Sequence, residues 1–152
     1  MLELPDAIAT AAAGARLAAA LRGGEAIALV GELGAGKTTF VAGLVAALGG
    51  GDAHSPTFAL VHEYDRGRLI VWHADLYRIE RAAELIELGL DDVIADPRGV
   101  TIVEWADRFA IMPADHLRIE LRYAGDHRCL VATGTGPRGR ELADTVELGK
   151  LG

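Results

Sequence analysis

Gly31, Gly36, Lys37 and Thr38 fill the pattern G-x-x-x-x-G-K-[ST], a spacing whose residue types answer the needs of a bound triphosphate. Glycines let the backbone wrap closely around phosphate. The backbone N–H groups from Gly34 to Thr38 are placed to form an anion nest, and a helix starting near Gly36 adds the positive end of its dipole. Lys37 brings a mobile positive charge to the β and γ oxygens. Thr38 offers a hydroxyl to Mg²⁺, which takes hard oxygen ligands. The bland alternative is a glycine-rich turn that happens to precede Lys-Thr. With only two lysines, Lys37 and Lys150, in 152 residues, such a match arises by chance in roughly one chain in several hundred. The glycine order also differs from the G-x-G-x-x-G of a dinucleotide site, which disfavours NAD and FAD.

A phosphate loop of this kind works with a carboxylate at the end of a neighbouring strand, to hold Mg²⁺ directly or through water. Asp75, after the apolar residues 69–74, and Glu104, after residues 100–103, both fit. Periodicity does not choose between them. Asp75 serves equally well as a cap for the turn into Leu76-Tyr77-Arg78. For Glu104, exit at the C-terminal edge of a sheet favours a site role over a plain surface acid. Ser55 and Thr57 are placed either to sense the γ-phosphate, as order–disorder segments do in other P-loop proteins, or simply to start a strand. Trp105 either stacks on a base or packs under the sheet, packing being the usual outcome. Arg78 and Arg128 are candidate phosphate ligands among 13 arginines, most of which must be solvated. His54, His62, His73, His116 and His127 lack the spacing of a zinc site.

These residues need a sheet edge to hold them. Residues 6–22 read as an alanine-rich helix with Asp6 at its start, packed tightly against the sheet; it is a structural cover, with Thr10 its one side chain that could reach a nucleotide. Residues 25–30 form a buried strand, and 36–48 a helix ended by three glycines. Residues 58–73 read as a hairpin turning at Asp65-Arg66-Gly67, 81–88 as a helix, and 100–103 as a short strand. A second hairpin covers 117–123 and 128–132, residues 134–139 are loop, and 141–148 a terminal helix. The order predicts one α/β domain over 1–152, with a mixed, partly parallel sheet flanked by helices.

Hydrophobic content of 51% gives one good core, and a second independent domain would not fit comfortably. A net charge of -7 repels nucleic acid and anionic membranes, so any contact with RNA needs a local patch or a partner. Cys129, the single cysteine, sits in an apolar strand pattern and reads as an inert buried thiol. No run approaches ~18 apolar residues free of charge and glycine, so a cytoplasmic protein without a membrane partner is predicted. The chain contains neither Asn nor Gln, which removes the N-K-x-D guanine reader and the water-positioning Gln of a Ras-type GTPase.

Residues 31–40, Ser55-Pro56-Thr57-Phe58-Ala59-Leu60-Val61-His62-Glu63-Tyr64, His73-Ala74-Asp75-Leu76-Tyr77-Arg78, Glu87-Leu88-Gly89-Leu90 and Val103-Glu104-Trp105 together resemble the bacterial TsaE family, also called YjeE. Ala59, His62 and Ala74 depart from the family's usual Thr, Asn and Phe, and none of them is a phosphate or metal ligand. The resemblance implies a small Mg²⁺-dependent ATPase needed to make threonylcarbamoyladenosine in tRNAs that read codons starting with A. It implies action on a complex of TsaD and TsaB, which would hold the tRNA, with TsaD modifying the base. By position it implies that Leu33, Gly34, Ala35, Gly36, Lys37, Thr38, Thr39 and Trp105 meet ATP. Thr38 and Glu104 would serve Mg²⁺, and Thr57, Asp75 and Glu104 hydrolysis.

Hydrolysis should then be weak in the isolated protein and coupled to the partner. Two other readings share the loop. A small-molecule kinase needs an acceptor pocket and an arginine-rich lid, for which these short loops offer no obvious candidate. A non-catalytic nucleotide-gated adaptor needs Lys37 but neither acid.

Overall fold

The computed structural model describes residues 1–51 and 61–148. Thr57, with Ser55 and His54, lies outside the described residues. The strands are β1 (Leu2–Leu4), β2 (Ala26–Gly31), β3 (Val61–Tyr64), β4 (Ile70–Asp75), β5 (Gly99–Glu104), β6 (His116–Ala124) and β7 (His127–Thr135). The helices are α1 (Ala7–Ala20), α2 (Lys37–Ala47), α3 (Ala82–Leu88), α4 (Leu90–Val93) and α5 (Gly136–Leu148). Strand order is β1-β7-β6-β2-β5-β4-β3. β6, β2, β5 and β4 run parallel, whereas β1, β7 and β3 pair antiparallel. The α/β fold with its mixed, partly parallel sheet is therefore the one the sequence predicts.

All six residues of β5 are buried, because helices cover both faces of the parallel strands. Phe40, Val41, Leu44 and Val45 of α2 pack with Ile27, Leu29 and Ile102 on one face. Ala28, Ala74 and Val103 on the other face meet Leu76, Leu85 and Leu90. Each large side chain so buried contributes about 1.5–3 kcal/mol, which fixes α2 firmly behind the loop that begins it.

Asp6 caps α1 as its position predicts, accepting from the Ala9 amide at 2.8 Å. The small residues of α1 serve a different contact from the expected one with the sheet, because the helix lies tightly on α2. A Cβ on Gly14 would come 2.2 Å from the Phe40 carbonyl oxygen, and one on Gly43 2.1 Å from that of Ala11. Only glycine permits that approach.

Two further elements differ from the sequence reading. β1 is too short to announce itself and exists because Leu2 and Leu4 bury against β7. α5 starts at Gly136, inside the stretch read as loop. Its first amides are satisfied from a distance: Asp115 accepts from Arg138 N at 3.1 Å and Gly139 N at 2.7 Å. Those bonds hold the Asp115 carboxyl below the usual carboxylate range, and Pro137 needs no donor in the first turn. Cys129 is a buried free thiol.

Candidate nucleotide site

The parallel strands end together at one edge of the sheet, where ligands of open α/β sheets bind. Gly31 ends β2, Glu104 ends β5 and Asp75 ends β4. In register, Leu29 stands opposite Glu104, and Glu104 opposite Asp75. Val61 lies opposite Ala74, so β3 also begins at this edge.

The loop from Gly31 to Gly36 bends through left-handed glycines, with φ of 83° at Gly34 and 106° at Gly36. Gly36 is the N-cap residue of α2, and no side chain among the described residues caps that helix. Its free N–H groups are therefore available to an anion. Ala35 is fully buried beneath the loop and Leu33 is 96% exposed at its crest.

Glu104 is 9% exposed and has a partner on each oxygen: Lys37 Nζ is 3.1 Å from Oε1, and His73 Nε2 is 2.7 Å from Oε2. Burial pushes its pKa up, but the bond and charge of His73, then those of Lys37, outweigh burial and hold it below the usual value. Asp75 is exposed, and its Oδ1 accepts from the Tyr77 amide at 3.0 Å. It thus does cap the turn, while still lining the cleft beside Glu104.

The cleft over the loop, about 610 Å³, is lined by Lys37, Thr38, Thr39, Asp75, Glu104 and Trp105. It continues between α2 and the β3–β4 hairpin as a space of about 890 Å³ that includes His62 and Arg78. On the far side of the loop, a recess of about 260 Å³ is bounded by Asp6, Thr10, Gly36, Thr39 and Arg128.

Trp105 is 46% exposed and does not pack under the sheet. Its left-handed backbone, φ 62° and ψ 31°, costs an L-residue about 1–2 kcal/mol. Its ring stands 5.2 Å from that of Tyr77 at the cleft mouth. Arg128 donates to the Gly34 carbonyl at 3.4 Å and lies 4.1 Å over the Tyr123 ring. Tyr123 donates to the Leu33 carbonyl at 2.7 Å, bracing the loop from the β6–β7 hairpin.

The sequence gives His73 no role beyond failing the spacing of a zinc site, and it does not single out Tyr123. His73 had a usable signal: two residues before Asp75 on a strand, it shares that residue's face. Nothing local marks Tyr123, because its role depends on where the hairpin lands.

Among the described residues, no group of three or more His, Cys, Asp and Glu side chains could hold a metal by itself. The hydroxyl of Thr38 with the carboxylate of Glu104 is a hard, oxygen-only donor pair. It suits Mg²⁺ that shares its coordination sphere with phosphate and water.

A glycine loop opening an uncapped helix, with a lysine paired to a strand-end acid, places the chain among phosphate-loop α/β proteins. Within that class, the family described as threonylcarbamoyl adenosine biosynthesis protein TsaE matches residues 4–130, and the chain belongs to it. It is 39% identical over 136 residues to a tRNA threonylcarbamoyladenosine biosynthesis protein TsaE from Bacillus subtilis, covering 87% of this chain and 84% of the relative. The protein of the same name from Streptomyces coelicolor is 38% identical over 136 residues, covering 82% of this chain and 90% of the relative. The crystal structure of Bacillus subtilis YdiB superposes with a TM-score of 0.80 at 31% identity, covering 97% of this chain and 93% of that one. No described helix is long and apolar enough to cross a membrane.

Proposed function

We propose that this chain is a Mg²⁺-dependent ATPase that serves tRNA threonylcarbamoyladenosine synthesis in the cytoplasm by acting on a TsaB–TsaD complex. The observation that carries the reading is the Lys37–Glu104 pair, 3.1 Å apart, at the mouth of the glycine loop. Lys37 would exchange that partner for the β and γ oxygens of ATP. The amides of Gly34 to Thr39 would cradle the phosphates, with Leu33 and Ala35 completing the loop. Thr38 and Glu104 would hold Mg²⁺, which neutralises charge on the terminal phosphates when bound. Asp75, exposed at the same edge, would orient the attacking water. Thr57 would complete the hydrolytic set, by the family resemblance.

Lys37 and Thr38 mark the terminal-phosphate end and Thr39 the α-phosphate end, so the nucleoside should lie beyond Thr39. That direction leads into the recess between Asp6, Thr10 and Arg128. Trp105 then stands over the phosphate end beside Lys37 and Thr38. An unfinished site would leave the isolated protein weakly active, since a supplied group can be worth ~10³ or more in rate. The acidic chain would leave tRNA to its partners.

The fate of γ-labelled ATP tests this reading. Label released as inorganic phosphate, with loss of release in Glu104→Ala, is the expected result. Label on a small-molecule acceptor would make the protein a kinase. Intact pathway function in Glu104→Ala and Asp75→Asn, with loss in Lys37→Ala, would make it a nucleotide-gated adaptor.

A further inference from the structure

Glu104 is held by two donors that nucleotide binding would treat differently. Lys37 contacts Oε1 at 3.1 Å and His73 contacts Oε2 at 2.7 Å. A carboxylate offers only lone pairs, so His73 Nε2 must carry the proton and donate. When Lys37 turns to phosphate, the donor shown on Oε1 leaves and the one on Oε2 stays. A glutamate has three rotatable torsions, and without a second anchor it can swing out of the geometry a metal needs.

We propose that His73 is the positioning residue of the metal-binding acid, holding one oxygen of Glu104 so that the other remains presented beside Lys37 and Thr38. The inference rests on the reading of Thr38 and Glu104 as the Mg²⁺ residues. His73 is suited to the task by its own fixation. It lies on β4 between β3 and β5, opposite His62 and Ile102, and its side chain is 16% exposed. The His62 ring stands 6.5 Å away on the side of β3. Side chains two apart on a strand share a face, so the spacing His73-x-Asp75 sets the holder of one acid beside the other acid. Outer partners that orient metal-binding groups in this way typically control metal affinity by 10–100-fold.

The alternative is a histidine that merely fills a half-buried strand position. Binding of a fluorescent ATP analogue to the intact protein, titrated with Mg²⁺ and repeated in EDTA, separates the two. In His73→Leu, which keeps bulk but cannot donate, the Mg²⁺ concentration giving half the affinity gain should rise about 10–100-fold. Affinity in EDTA should stay at the wild-type value. His73→Gln, whose amide nitrogen reaches as far as Nε2, should restore most of the Mg²⁺ response. An unshifted Mg²⁺ midpoint in His73→Leu, with only the melting temperature lowered, overturns the proposal. Should His73→Leu fail to fold, a Mg²⁺ midpoint in His73→Ala equal to wild type does the same. A wild-type protein whose nucleotide affinity ignores Mg²⁺ would instead remove the metal reading itself, and the proposal with it.

Discussion

Asp75 and Glu104 end adjacent parallel strands in the same register, so two carboxylates enter one cleft from one face of the sheet. Their surroundings divide their work. Glu104 is buried and held ionised between His73 and Lys37, while Asp75 is exposed and tied only locally to the Tyr77 amide. Asp75→Asn should keep ATP affinity near wild type and lower single-turnover hydrolysis by ~10²-fold or more, the scale of a positioned acid or base. Calorimetric binding beside a quench assay checks both halves; a matching loss of affinity would show that Asp75 belongs to binding instead.

Lys37→Ala removes the charge offered to the terminal phosphates. A charge-assisted bond of about 1.5–3 kcal/mol predicts a loss of roughly 10–100-fold in ATP affinity. Stability should fall by about 1–2 kcal/mol, because the buried Glu104 keeps only His73 as a partner. Isothermal titration and a thermal melt of the same variant measure the two quantities.

Gly43→Ala should be disruptive although it lies on a helix. The added methyl would meet the Ala11 carbonyl at 2.1 Å, so α1 and α2 must separate. Overpacking of this kind costs about 1–3 kcal/mol, against the gain of at most about 1 kcal/mol that alanine brings to a helix. Since Lys37 and Thr38 open α2, nucleotide affinity should fall with the melting temperature.

The other end of the sheet carries a buried ion pair that fastens α5. Glu25, 7% exposed, accepts from the amides of Arg22 and Gly23 at 2.8 and 2.6 Å and from Arg138 Nη2 at 2.7 Å. Burial raises its pKa, but Arg138 and the amides together hold it below normal. A depressed carboxylate stabilises fully above its unfolded pKa of about 4.3 and loses that contribution as pH falls through the folded value. Arg138→Ala should cost about 2 kcal/mol at pH 7, less than for a pair with no other donors, because the two amides remain. In urea unfolding, the gap between wild type and Arg138→Ala should narrow below pH ~4. A gap constant down to pH 3 would contradict the assignment.

What was legible in the sequence followed local chemistry. The loop Gly31 to Thr38, the Asp6 cap, both hairpins and the strand-end acids are written in contiguous residues. What depends on distant contacts was not. The α5 start needs Asp115, some twenty residues upstream, and β1 needs the edge of β7. Trp105 lies between the two, since an apolar side chain ordinarily packs inward and the residue type alone leaves stacking on a base open beside packing under the sheet. Only its left-handed backbone at the end of a buried strand turns it outward to the cleft.

The proposed function turns on coupling of hydrolysis to the partner. Single-turnover hydrolysis of ATP should be measured with and without a TsaB–TsaD complex at the same Mg²⁺ concentration. Release should be slow alone, rise by a factor approaching ~10³ with the complex, and lose that rise in Glu104→Ala. Equal rates in the two conditions would contradict the coupling.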